Sequence, residues 1–141
     1  MADKLTVWFL NVGHGECTII EFPSGRIAMV DVNNAKALDT TSVVELAQSV
    51  PGLVLDTKGE WLKDARFVEA YRQADALLDD PSLFWAEQFK GKGMFRFIAT
   101  HPHLDHLSGL YRLFGQDCIP LTAFWDTNND CEMSDKDFEG K

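Results

Sequence analysis

The sequence predicts a mixed α/β (α+β) domain, and three observations predict it. Short apolar runs near the N-terminus alternate as strands do, aromatic residues recur at helical spacing through the middle of the chain, and an apolar stretch then runs into a cluster of histidines. At 141 residues the chain is one domain by size. A chain of this length can bury about two-thirds of its unfolded surface.

Taken in order, strands are expected at residues 5–11, 16–22 and 26–32, joined by the Gly13-His14-Gly15 loop and the Pro23-Ser24-Gly25 turn. Ser42 with Glu45 three residues later has the spacing of a capping box and predicts a short helix ending near Pro51-Gly52. Over residues 60–78, Trp61, Phe67, Val68, Tyr71, Ala74 and Leu78 fall at near-helical spacing. Asp80-Pro81 opens the next helix, because proline suits a first helical position, where no amide is needed. Its Leu83, Phe84, Trp85 and Phe89 are expected to pack a core rather than to form a lid. Residues 94–100, Met-Phe-Arg-Phe-Ile-Ala-Thr, then read as a buried strand.

The segment after that strand carries the chemistry. Thr100-His101-Pro102-His103-Leu104-Asp105-His106 holds three imidazoles and a carboxylate within six residues, the donor types that bind zinc. Pro102 favours extended backbone at His101. Side chains two apart in extended chain point to one side, so His101 and His103 can hold one ion. Asp105 is expected to cap a helix carrying Leu107, Leu110, Tyr111 and Phe114 up to Gly115, and that turn would aim Asp105 and His106 into the same cavity. His14, between two glycines, is a candidate substrate or ligand contact. Asp31, at a strand end, is a candidate acceptor for the second nitrogen of a metal-bound imidazole, although a local turn with Asn33 or Asn34 competes for it.

The HxHxDH string after an apolar strand resembles the metallo-β-lactamase-fold hydrolases. The opening run Phe9-Leu10-Asn11-Val12-Gly13-His14-Gly15-Glu16 is similar to the competence-protein branch of that superfamily. Asn11, His14 and Glu16 stand where that branch usually has Asp, Gln and Asp, and Asp31-Val32-Asn33 lacks the usual glycine after its aspartate. The resemblance covers roughly the first 35 residues and residues 94–125. It implies an αββα sandwich, of which residues 1–141 read as the N-terminal half, with a helical insertion at 36–93 and a flexible tail or truncated continuation at 127–141. It also implies His101 and His103 on a first zinc and Asp105 and His106 on a second, with Asp105 the catalytic residue that steers water. Manganese or iron could replace zinc.

The family completes its site with two further histidines and a bridging aspartate. All four histidines here are already used, and no motif selects an aspartate among those from Asp117 onward. A homodimer, or a C-terminal half on another chain, is therefore an expected partner. The expected function is hydrolysis of an ester or phosphodiester. The alternative is a split half-domain, inactive alone, that acts as a binding or assembly module.

Composition narrows these readings. A net charge of −9, with Lys90 and Lys92 the only clustered cations, disfavours a nucleic-acid partner. No apolar run approaches the roughly 20 residues of a membrane span, and the N-terminus runs directly into a strand pattern rather than a leader, so the expectation is cytoplasmic with no membrane partner. Three cysteines at irregular spacing predict no disulfide framework, and Cys17 and Cys118 read as buried thiols.

Overall fold

A computed structural model describes residues 4–34, 38 and 40–128. Cys131 and most of the expected tail, from 129 onward, lie outside the described residues. Among the described residues the expected α/β (α+β) class is present as one five-stranded mixed sheet with four helices. Strands β1 (Thr6–Phe9), β2 (Thr18–Glu21) and β3 (Ile27–Val30) form an antiparallel meander. Strands β4 (Met94–Ile98) and β5 (Leu121–Trp125) extend it in parallel, in the order β1-β2-β3-β4-β5.

Each strand is shorter than its apolar run. The cause is clearest at β3, which stops at Val30 because Asp31 has a φ of 53° and cannot continue the pleat. Between β3 and β4 lie α1 (Thr40–Ser49), a 3₁₀ turn (Glu60–Lys63), α2 (Ala65–Asp75) and α3 (Pro81–Gln88). The expected helix over 60–78 is thus broken at Asp64, whose extended backbone and side chain cap α2 through the Arg66 amide. The helix predicted from Ser42 begins at Thr40 instead, so Ser42 and Glu45 lie inside it and make no capping box. At α3 the sequence expectation holds: Asp80 accepts from the amides of Ser82 and Leu83, and Pro81 takes the first turn.

Strand register sorts the side chains into two faces. Trp8, Ile19, Met29, Phe97 and Phe124 occupy facing positions across all five strands, so they share one side. That side is the core. Trp85 of α3, Phe89 just after it and Leu113 bury against it, with Trp8 meeting Phe89 edge to face at 5.4 Å and Phe97 meeting Phe114 at 5.9 Å. Phe84, Trp85 and Phe89 therefore pack the core, as expected, but Leu83 is exposed and does not. The opposite side carries the row Phe9, Thr18, Val30, Ile98, Trp125, in which Phe9 is 80% and Trp125 48% exposed.

Among the described residues no helix is long and apolar enough to cross a membrane.

Candidate functional site

Two neighbouring parallel strands, β3 and β4, end side by side. The carboxyl ends of such strands are where open α/β sheets place ligands. Asp31 follows β3, and Thr100 with His101 follows β4. Backbone bonds fix the approach: the Asp31 amide donates to the Ile98 carbonyl at 2.9 Å, and the Val32 amide donates to the His106 carbonyl at 2.7 Å. Gly109 in turn donates to the Val32 carbonyl at 3.1 Å, and a Cβ there would sit 2.5 Å from a Val32 methyl, so glycine is what lets these segments touch.

After Pro102 the backbone of His103 is extended, with φ −92° and ψ 151°, and a short helix α4 (Leu104–Leu107) begins. His103, not Asp105, occupies its N-cap position, without a side-chain cap bond. The predicted helix from Asp105 to Phe114 is also not continuous, because a π-helical turn (Tyr111–Gln116) follows α4. The Asp105 carboxylate is left for other work. Its Oδ2 lies 3.4 Å from His106 Nε2 and 3.7 Å from His14 Nε2.

Among the described residues the expected set of His101, His103, Asp105 and His106 does not bring three donor atoms within 4.8 Å of one another, although its imidazoles lie near each other. The rings of His101 and His106 are 3.6 Å apart between centroids, and those of His101 and His103 are 4.8 Å apart. His106 is buried, His101 and Asp105 are half-buried, and His103 is exposed. Beneath them Asp31 is fully buried and both its oxygens are engaged. Oδ1 accepts from the Thr100 amide at 2.8 Å, while Oδ2 accepts from Thr100 Oγ1 at 2.5 Å and meets His106 Nδ1 at 2.8 Å. The competing turn with Asn33 or Asn34 is not what Asp31 forms. Asn33 instead donates to the carbonyls of Val12 and His14 and accepts from Ser108 Oγ, tying the His14 loop to the end of α4.

That loop is pressed directly onto the motif. Gly15 has a φ of +127°, and a Cβ on it would lie 2.3 Å from the Asp105 carbonyl oxygen and 2.7 Å from Asn33 Cβ. Neither neighbour is the free end of a flexible side chain. Gly15→Ala is therefore expected to destabilise the fold by about 2 kcal/mol, combining backbone strain with displacement of Asp105. Urea unfolding monitored by tryptophan fluorescence measures it, and a midpoint equal to the parent's would contradict the contact.

Among the described residues one trio, Glu16, Asp31 and His106, brings a donor atom of each member within 4.8 Å of the others. It is not a free ligand set, because Asp31 has already given both oxygens to Thr100 and His106. Cys17 offers no ligand either: burial, reinforced by Asp31 and Asp79, pushes its thiol up to about 12, leaving it protonated at neutral pH. Cys118 departs from expectation, being exposed on a residue with φ 54° after the π-helical turn. Being next to a strand in sequence does not bury a side chain that a left-handed turn directs outward.

A cleft of about 190 Å³ opens beside His101, between Pro102, Leu107, Phe124 and Asp126. Sequence reasoning selected His101, His103, Asp105, His106, Asp31 and His14, and gave Thr100 no role. The available signal was a hydroxyl residue at the end of one strand beside an aspartate at the end of the next. Comparison with protein families, with curated proteins and with solved structures finds no match to this chain.

Proposed function

We propose that this chain is a metal-dependent hydrolase domain, with His101, His103, Asp105 and His106 as ligands for zinc, one ion or two, and an ester or phosphodiester as substrate. The observation that carries this reading is the buried Asp31–His106 pair. A carboxylate accepting from Nδ1 is the arrangement that orients metal-bound imidazoles, and here it leaves His106 Nε2 facing Asp105 Oδ2 at 3.4 Å. The donor chemistry suits zinc, and manganese or iron would accept the same nitrogen and oxygen atoms. A bound ion would supply Lewis acidity and a water of lowered pKa. The chain's own part is to hold the imidazoles in place, to present Asp105 to the attacking water, and to seat the substrate in the cleft beside His101. His14, 3.7 Å from Asp105, would contact that substrate.

A second reading, a half-domain active only when assembled, is favoured by the sheet face that bears Phe9 and Trp125. An apolar sheet face normally packs against another layer. A homodimer or a C-terminal half on another chain would provide one.

Elemental analysis of the purified chain, combined with sedimentation equilibrium, tests both. One or two equivalents of zinc per chain, reduced at least tenfold by His103→Ala, is the expected result. A metal-free parent that stays metal-free after zinc is added and excess removed would sink the hydrolase reading, and a strictly monomeric chain would count against the assembly reading.

A further inference from the structure

The hydroxyl of Thr100 lies between two groups of the site. Its Oγ1 is 2.5 Å from Asp31 Oδ2 and 3.0 Å from His101 Nδ1, while the Thr100 amide donates to the other Asp31 oxygen at 2.8 Å. A hydroxyl has one hydrogen to give. Asp31 already receives the Thr100 amide and faces His106 Nδ1, so its carboxylate is arranged as an acceptor, and the hydroxyl hydrogen goes to it. What remains on Thr100 Oγ1 is lone pairs. His101 Nδ1 at 3.0 Å can then only be the donor.

We propose that Thr100 is a positioning residue that relays the buried Asp31 carboxylate to His101, so that one carboxylate fixes the tautomers of two imidazoles. His106 Nδ1 is held directly and His101 Nδ1 through the hydroxyl, each carrying hydrogen; the lone pair of His101 is left on Nε2, while His106 Nε2 faces Asp105 Oδ2 at 3.4 Å. This runs against the preference of free neutral histidine, which carries its hydrogen on Nε2. The Nε2 lone pair of His101 is thus set before anything binds. The proposal deepens the metal-site reading but does not require it, because the tautomers exist in the metal-free chain.

The test is long-range ¹H–¹⁵N correlation NMR on the metal-free chain at alkaline pH, which distinguishes the two neutral tautomers of each histidine. The expected result is the Nδ1–H form for His101 and His106 in the parent and in Thr100→Ser, and reversion of His101 alone to the Nε2–H form in Thr100→Val. A second measurement, zinc competition against a chromophoric chelator, is expected to show affinity reduced about 10- to 100-fold in Thr100→Val and near parental in Thr100→Ser. Finding His101 in the Nε2–H form in the parent would overturn the proposal even if Thr100→Val failed to fold. So would a Thr100→Val chain whose His101 keeps the parental tautomer. Absence of zinc binding in a parent with the expected tautomers would overturn the metal reading and leave the relay standing.

Discussion

Asp31→Ala is expected to cost about 3–5 kcal/mol of stability, the magnitude seen when one partner of a buried polar cluster is removed. The loss has two sources. Three groups lose their acceptor together: the Thr100 amide, Thr100 Oγ1 and His106 Nδ1. Each group left unsatisfied in a buried place costs about 1–3 kcal/mol before relaxation and water entry reduce it. The second source is the backbone. At a φ of 53° alanine is strained by roughly 1 kcal/mol, whereas aspartate and asparagine tolerate the left-handed region. Asp31→Asn should therefore cost less, keeping the backbone and one acceptor while facing an amide –NH₂ toward donors. Thermal and urea unfolding of the pair separate the two sources. An Asp31→Ala chain within about 1 kcal/mol of the parent would show that the cluster does not hold the strand ends together.

The effect of Phe97→Ala should be as large, about 3–5 kcal/mol, for a different reason. Phe97 is fully buried at the centre of the core face. It stacks on Phe124 at 5.4 Å and meets Phe114 edge to face at 5.9 Å, so it joins β4 to both β5 and the π-helical turn. Removing the ring leaves a cavity that three separate segments would have to close at once. Phe97→Leu keeps most of the volume and should cost much less, which calorimetry of the two variants can establish. Equal losses for Ala and Leu would mean that ring geometry, rather than filled volume, sets the cost.

Together these variants distinguish what holds the site from what holds the sheet. Phe97→Ala should loosen the fold without changing how His101 and His106 are oriented in the folded fraction, because the ring of Phe97 packs on Phe114 and Phe124 while the Asp31 cluster is held by hydrogen bonds that do not involve it. Asp31→Ala should do both.

Several features were legible in the sequence because their causes are local. Asp80-Pro81 opened a helix because the cap and the fixed proline backbone act within three residues. Alternation located β1, β2 and β3, and the run of apolar residues located β4, although pairing trimmed their ends. The nearness of the His101 ring to those of His103 and His106 followed from spacing across Pro102 and a chain turn. Where the cause was not local the reading failed. Ser42 and Glu45 had the right spacing for a cap, but the helix started two residues earlier. Asp105 looked like a cap, yet the extended backbone of His103 begins α4 first and frees the carboxylate to face His106 and His14.

The amino-acid order alone settled which donor atoms this protein owns and that a strand delivers them, because strand alternation and turn preferences are properties of short stretches of chain. Only the tertiary structure decided how those donors are held. Asp31 and His106 are 75 residues apart, and Gly15 reaches Asp105 across a still longer separation. Such contacts exist only once β3 and β4 pair in parallel and bring their carboxyl ends together, since no local preference specifies which distant strand lies alongside.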